Sequence, residues 1–158
     1  MFYAGIGARK TPKEVLAKME LAAMNLAVAH VVLRSGHAAG ADAAFERGCD
    51  SVNGWKEIFY VNRELQNSWL HVAEEYHPNW NACSDYAKRL HARNTPIILG
   101  ADLMHPVQFV LCWTPGGKVT GGTGQALRIT EAYRVPVFNM YYGNAIDELE
   151  RYLGVKLQ

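Results

Sequence analysis

Two carboxylates and an arginine are spaced for chemistry in this chain. Asp42 and Glu46 stand one helical turn apart in "GADAAFERG", so a helix there carries both on one face. Carboxyls sharing a site can raise one another's pKa, which suits proton transfer near neutral pH. Arg93, followed by Asn94 in "LHARN", comes just before Pro96, whose ring disfavours helix in the residue before it. An arginine at such a corner suits phosphate through charge-assisted hydrogen bonds. If phosphate is all it touches, Arg93→Ala weakens binding and leaves the melting temperature unchanged. Around these residues lie three glycine-bearing turns: "GIGARKTP" (5–12), "SGHAAGAD" (35–42) and "TPGGKVTGGTGQ" (114–125). Glycine lets a ligand approach the backbone, and a following helix N-terminus offers N–H groups and a positive dipole end to an anion. Gly5, Gly7, Arg9 and Lys10 in the first turn, and Gly121, Gly122, Thr123 and Gly124 in the third, are therefore candidate phosphate contacts. Plainer roles stand beside these: a tight turn, a solvated Arg9, and an Asp42 that only caps its own helix.

The elements that must position these residues alternate. "FYAGIG" reads as a strand. "TPKEVLAKMELAAMNLAVAH" reads as a helix with Thr11 as N-cap, Pro12 at the first helical position and Glu14 completing a capping box. "VVLRSG" and "KEIFYV" are strands on either side of a short helix, "ADAAFERGCDS". "PVQFVLCW" is a buried strand, followed by a helix from "GGTGQALRITEAYR", a strand in "VPVFNM" and a last helix in "NAIDELERYLG". Strands separated by helical stretches predict an α/β fold: a doubly wound, mostly parallel Rossmann-like sheet with helices on both faces. All three glycine turns then fall at the carboxyl edge of the strands, where such sheets bind ligands. One domain over 1–158 is expected. Its segment 62–95, carrying Trp69, His71, Tyr76, His77, Trp80, Tyr86 and His91, either packs onto the sheet or forms a cap that stacks on a nucleobase.

Composition narrows the classes. Lys and Arg total 16 against 15 acidic residues, so any polyanion site is local. The first residues show no basic segment with a cleavage site, which points to a cytoplasmic protein. No membrane association is expected. Cys49, Cys83 and Cys112 are odd in number and far apart, which argues against a disulfide framework and a zinc knuckle. The nearest histidine pair, His71 and His77, falls on different faces of a helix. Neither a metal nor a cofactor is expected. "GIGARK" departs from the dinucleotide-binding spacing, and "GGTGQ" lacks the lysine of a phosphate-binding loop.

The order "GIGAR", "SGHAAGAD", "HARN", "GGTGQAL" resembles the DprA/Smf and LOG (SLOG) superfamily over most of the chain, leaving out 62–82. The resemblance places Ser35, Gly36, Gly40, Asp42, Arg93, Asn94, Gly122 and Thr123 at its motif positions. It implies a Rossmann-like domain that binds a nucleotide, a nucleotide-derived signal or single-stranded DNA, commonly as a homo-oligomer such as a dimer. Compact members are frequent in phages and other mobile elements. LOG-type members cleave the N-glycosidic bond of nucleoside monophosphates with an arginine and a glutamate. His91 and Arg93 match, but Ala126 stands where the glutamate belongs. A hydrolase of this kind would need Asp42, Glu46 or Glu131 as its carboxylate. The expected arrangement puts phosphate on the Gly5–Lys10 and Gly121–Gly124 turns with Arg93, ribose on Asp42, and the base on an aromatic from the middle segment. Two alternatives remain: a single-stranded DNA-binding recombination accessory, and a sensor or sponge without turnover.

Overall fold

β1 alternates its side chains between two cores. Tyr3 points to one and Ala4 and Ile6 to the other, and β4 repeats the pattern with Phe109 and Leu111 against Val110 and Cys112. A strand buried on both faces needs helices on both faces, and the computed structural model, which describes Met1–Gln158, shows them. The chain runs β1 (Phe2–Gly7), α1 (Lys13–Val28), β2 (Val32–Ser35), α2 (Ala41–Asp50), β3 (Lys56–Ile58), α3 (Asn67–Tyr76), α4 (Asp85–Leu99), β4 (Phe109–Trp113), α5 (Gly121–Ala132), β5 (Val137–Asn139) and α6 (Ala145–Leu153). The sheet is parallel throughout, in the order β3-β2-β1-β4-β5. Residues of α1, α2 and α6 fill one core, and those of α3, α4 and α5 fill the other. This is the doubly wound Rossmann-like architecture. The strand order reverses direction between β1 and β4, which opens a crevice at their carboxyl ends.

Two local expectations are corrected. Thr11 does not cap α1: its hydroxyl donates to the carbonyl of Ala8 at 2.7 Å, and Pro12 occupies the cap position without a side-chain bond. The hydroxyl is spent on closing the turn after β1. Nor does Pro96 end a helix, because α4 continues through it to Leu99. An internal proline costs about 3 kcal/mol, but Ile97, Ile98 and Leu99 beyond it are fully buried. At ~1.5–3 kcal/mol each, they outweigh that cost. Arg93 therefore sits inside a helix and not at a corner.

α1 and α2 pack with their backbones almost touching at Gly48. A Cβ added there would lie 2.1 Å from the carbonyl oxygen of Glu20 and 2.9 Å from the Cβ of Ala23. Gly48→Ala gains roughly 1 kcal/mol of helix propensity, yet it forces a backbone apart at about 1–3 kcal/mol or more. The expected net effect is destabilisation, read as a lower urea midpoint. A raised midpoint would show that the helices separate freely.

Of the aromatics in residues 62–95, Trp69 and Tyr76 pack against the core filled by α3, α4 and α5, while His77, Trp80 and His91 pack on one another. Trp69 is fully buried, with its indole N–H donating to Ala101 O at 2.9 Å. Tyr86 remains exposed on α4.

Candidate functional site

A cleft of about 440 Å³ opens at the switch between β1 and β4. Four segments meet there. Ile6 to Arg9 come from the end of β1, Ala38 from the turn before α2 and Asp42 from its first turn, Tyr86, Leu90, Arg93 and Asn94 from α4, and Gly122, Thr123 and Ala126 from the start of α5. The three glycine turns thus meet as the spacing predicted.

Asp42 lies at the floor, buried, in the first turn of α2. Its carboxylate accepts from the amide of Ala38 at 3.3 Å, and the amides of Gly36 and Gly7 also face it. The carboxylate caps the preceding loop, and no side-chain cap bond forms on the helix. Burial pushes its pKa up to about 6 against the pull of Arg93 and these amides. A carboxyl poised there exchanges a proton readily at neutral pH.

Arg93 is buried behind the cleft and anchored by backbone. Its Nη1 donates to the carbonyls of Gly36 and, at 3.1 Å, Phe59, while its Nε is enclosed with no partner. Burial lowers its pKa and Asp42 opposes that. The two charges feel one another without an ion pair inside 4 Å. A Cβ on Gly36 would lie 3.0 Å from Asp42 Oδ2 and collide with the Arg93 guanidinium, so glycine there lets both side chains share one niche.

Glu46 goes elsewhere. It lies outside the cleft lining and takes His37 Nδ1 at 2.7 Å and Lys56 Nζ at 2.8 Å. Desolvation works against its charge, but those two hydrogen bonds outweigh it and hold its pKa below the usual range. Glu46 does not line the cleft beside Asp42, because a helical face one turn long also reaches the neighbouring strand, where Lys56 takes it. Glu131 is exposed on α5.

The other candidates divide between wall and scaffold. Gly7, Arg9, Asn94, Gly122 and Thr123 reach the cleft. Asn94 Nδ2 donates to Gly122 O at 3.1 Å, tying α4 to the N-terminus of α5. Gly121, at φ +67°, makes the left-handed entry to that helix, and the side chain of Thr120 leaves its first amides uncapped. Ser35 donates to Gly5 O at 2.6 Å and welds β2 to β1. Gly5 leaves room for Phe45 and Leu33, and Gly124 for the backbone of Val119. Gly40, at φ +86°, lies against the backbone of Arg9 and joins the first two turns. Lys10 is exposed outside the lining.

Ala38 and Leu90, which no sequence motif marks, also line the cleft. Tyr86 is the one aromatic of the middle segment that lines the cleft, and the helical periodicity of "SDYAKRLHARN", which puts it seven residues from Arg93, is the signal that marks it. Ala126 also lines the cleft and places a methyl group there.

No helix is long and apolar enough to cross a membrane. Comparison of the chain with protein-family models, curated proteins and solved structures gives no match.

Proposed function

We propose that this cleft binds a nucleotide or a nucleotide-derived small molecule, as the resemblance to the SLOG superfamily implies. The observation that carries the reading is the composition of the cleft at the sheet's switch point. It joins a buried, proton-poised Asp42 and a backbone-anchored Arg93 to an uncapped helix N-terminus. Phosphate fits the amides of Gly122 and Thr123 together with Arg9. The base stacks on Tyr86, and the ribose faces Asp42. With its pKa near 6, Asp42 is the carboxylate available to an N-glycosidic hydrolase, stabilising positive charge on the sugar ring or activating water.

One observation favours a second reading, a sensor or sponge that binds without turnover. Where the LOG-type glutamate would stand, Ala126 presents a methyl. A single experiment separates the two. Thermal shift is measured with nucleoside monophosphates, cyclic nucleotides, ADP-ribose and a short single-stranded oligonucleotide, and each mixture is then chromatographed. A ligand at a hundred times its Kd stabilises by about 2.7 kcal/mol. A shift with free base released supports the hydrolase, and a shift with the ligand intact supports the sensor. A shift confined to the oligonucleotide, weakening steeply with salt, would replace both with the DNA-binding reading.

Arg9 is exposed at the cleft mouth and makes no hydrogen bond to the protein. Arg9→Ala is expected to weaken nucleotide affinity by about 1–3 kcal/mol while leaving the melting temperature in place. If nucleotide and nucleoside bind Arg9→Ala and the parent protein with one common affinity, phosphate does not sit at that turn.

A further inference from the structure

Outside the cleft, three potential metal ligands converge where α3 turns back onto α4. His77 ends α3, Cys83 closes the short helical turn Trp80–Ala82, and His91 stands in the second turn of α4. Their ligand atoms all lie within 4.8 Å of one another. We propose that His77, Cys83 and His91 form a binding site for zinc or a similar divalent transition metal, with its fourth coordination position open to water or another small donor.

The distances suit the ion. Zinc holds a thiolate at ~2.3 Å and imidazole nitrogens at ~2.0–2.1 Å in a tetrahedron, whose S–N edge is then about 3.5 Å. Cys83 Sγ lies 3.5 Å from Nε2 and 3.9 Å from Nδ1 of His77. The two imidazoles lie 4.6 Å apart between centroids, their planes tilted by 45°. A separate observation points to a ligand: Nδ1 of His91 is enclosed with no hydrogen-bond partner, although buried polar atoms are rarely left so. One thiolate and two imidazoles is a donor set that favours zinc over calcium or magnesium.

The surroundings fit a closed but reachable site. Trp80 stands edge-on to His77 at 6.1 Å and 6.4 Å from His91, forming an apolar wall. Nδ1 of His77 accepts from the amide of Asn79 at 3.0 Å, an exposed bond that water can take over if that nitrogen turns to a metal. Arg128 also faces the cluster, and its charge opposes a dication. Cys83 offsets it by giving up its proton as the metal binds. None of the three residues lines the nucleotide cleft, so the metal site and the proposed function stand or fall separately.

The test is calorimetric titration of Zn²⁺ into chelator-treated protein, paired with the absorption spectrum of the Co²⁺-loaded form. One equivalent should bind, with a thiolate-to-cobalt charge-transfer band. Cys83→Ser should abolish the band, and Cys83→Ser and His91→Gln should each weaken zinc binding beyond the roughly 10–100-fold that losing an outer-shell partner costs. His71→Gln, on the exposed side of α3, should change neither. A reading on the unmutated protein guards against misfolded variants: zinc should protect Cys83 from iodoacetamide, with the adduct mapped by mass spectrometry, since Cys49 and Cys112 are buried. Absence of saturable binding, equal affinity in the Cys83 and His91 variants, or unprotected Cys83 at saturating zinc each overturns the proposal.

Discussion

Arg93→Ala is expected to lower the melting temperature by roughly 10 °C, against the unchanged value that a purely phosphate-binding arginine implies. Arg93 Nη1 supplies hydrogen bonds to the carbonyls of Gly36 and Phe59, and its charge opposes that of buried Asp42. Truncation strands two acceptors at about 1–3 kcal/mol each and leaves a buried carboxylate with less compensation. The two acceptors together cost about 2–6 kcal/mol, and for a chain of this size each kcal/mol moves the melting temperature by ~2–4 °C. The check is a calorimetric scan of Arg93→Ala beside Arg9→Ala, which lacks these contacts and should melt with the parent protein. Coincident melting of all three proteins would mean that Arg93 holds nothing together. It also follows that lost ligand binding in Arg93→Ala is no proof of contact with the ligand, and that the exposed Arg9 is the cleaner probe.

Asp42→Asn should act in the opposite direction. The folded pKa of Asp42, about 6, lies above its ordinary value of 3.8. Between those values the folded chain holds a proton that the unfolded chain releases. The contribution of Asp42 to stability is therefore full below about pH 3.8 and is lost as the pH rises through 6. A rise of about two units corresponds to ~3 kcal/mol. Asparagine removes the charge and keeps an oxygen to accept the Ala38 amide, so the variant should be about 2–3 kcal/mol more stable at pH 7 and lose this residue's part of the stability slope between pH 4 and 6. Urea midpoints across that range test it. A less stable variant at pH 7 would show that the charge is net favourable through Arg93. Under the hydrolase reading the same variant releases no base, and a more stable, inactive protein is the signature of a charge retained for function at a cost to folding.

The alternating sheet was legible because its signal is local. β1 matches "FYAGIG" residue for residue, and the strand and helix that follow it begin within two residues of their expected places. Arrival of the three glycine turns at one edge follows from parallel connectivity alone. What escaped depends on distant partners. Helix spacing put Asp42 and Glu46 on one face, but Lys56 and His37 lie on other segments and draw Glu46 away. Pro96 reads locally as a helix terminator, whereas burial of the next three residues holds the helix together. Thr11 had a cap signature but found a nearer acceptor in Ala8. The meeting of His77, Cys83 and His91 was hidden for the same reason: spacing within one helix says nothing about a turn that folds one helix back onto the next.

The parallel order also sets when the cleft can come into being. β1 is made first, but its partner on the cleft side is β4, with Tyr3 beside Phe109 and Gly7 beside Trp113. About a hundred residues separate them, and at about 5–20 residues per second a ribosome needs roughly 5–20 s to supply the difference. Throughout that interval one side of β1 presents unpaired amides and carbonyls, open to any passing strand. α1, β2 and α2 can gather on the other side meanwhile, since their contacts with β1 are already within the emerged chain. A protein truncated before β4 would therefore be a half-sheet with β1 as an open edge, prone to self-association and without the cleft, and the residues from β4 onward turn that edge into a crevice.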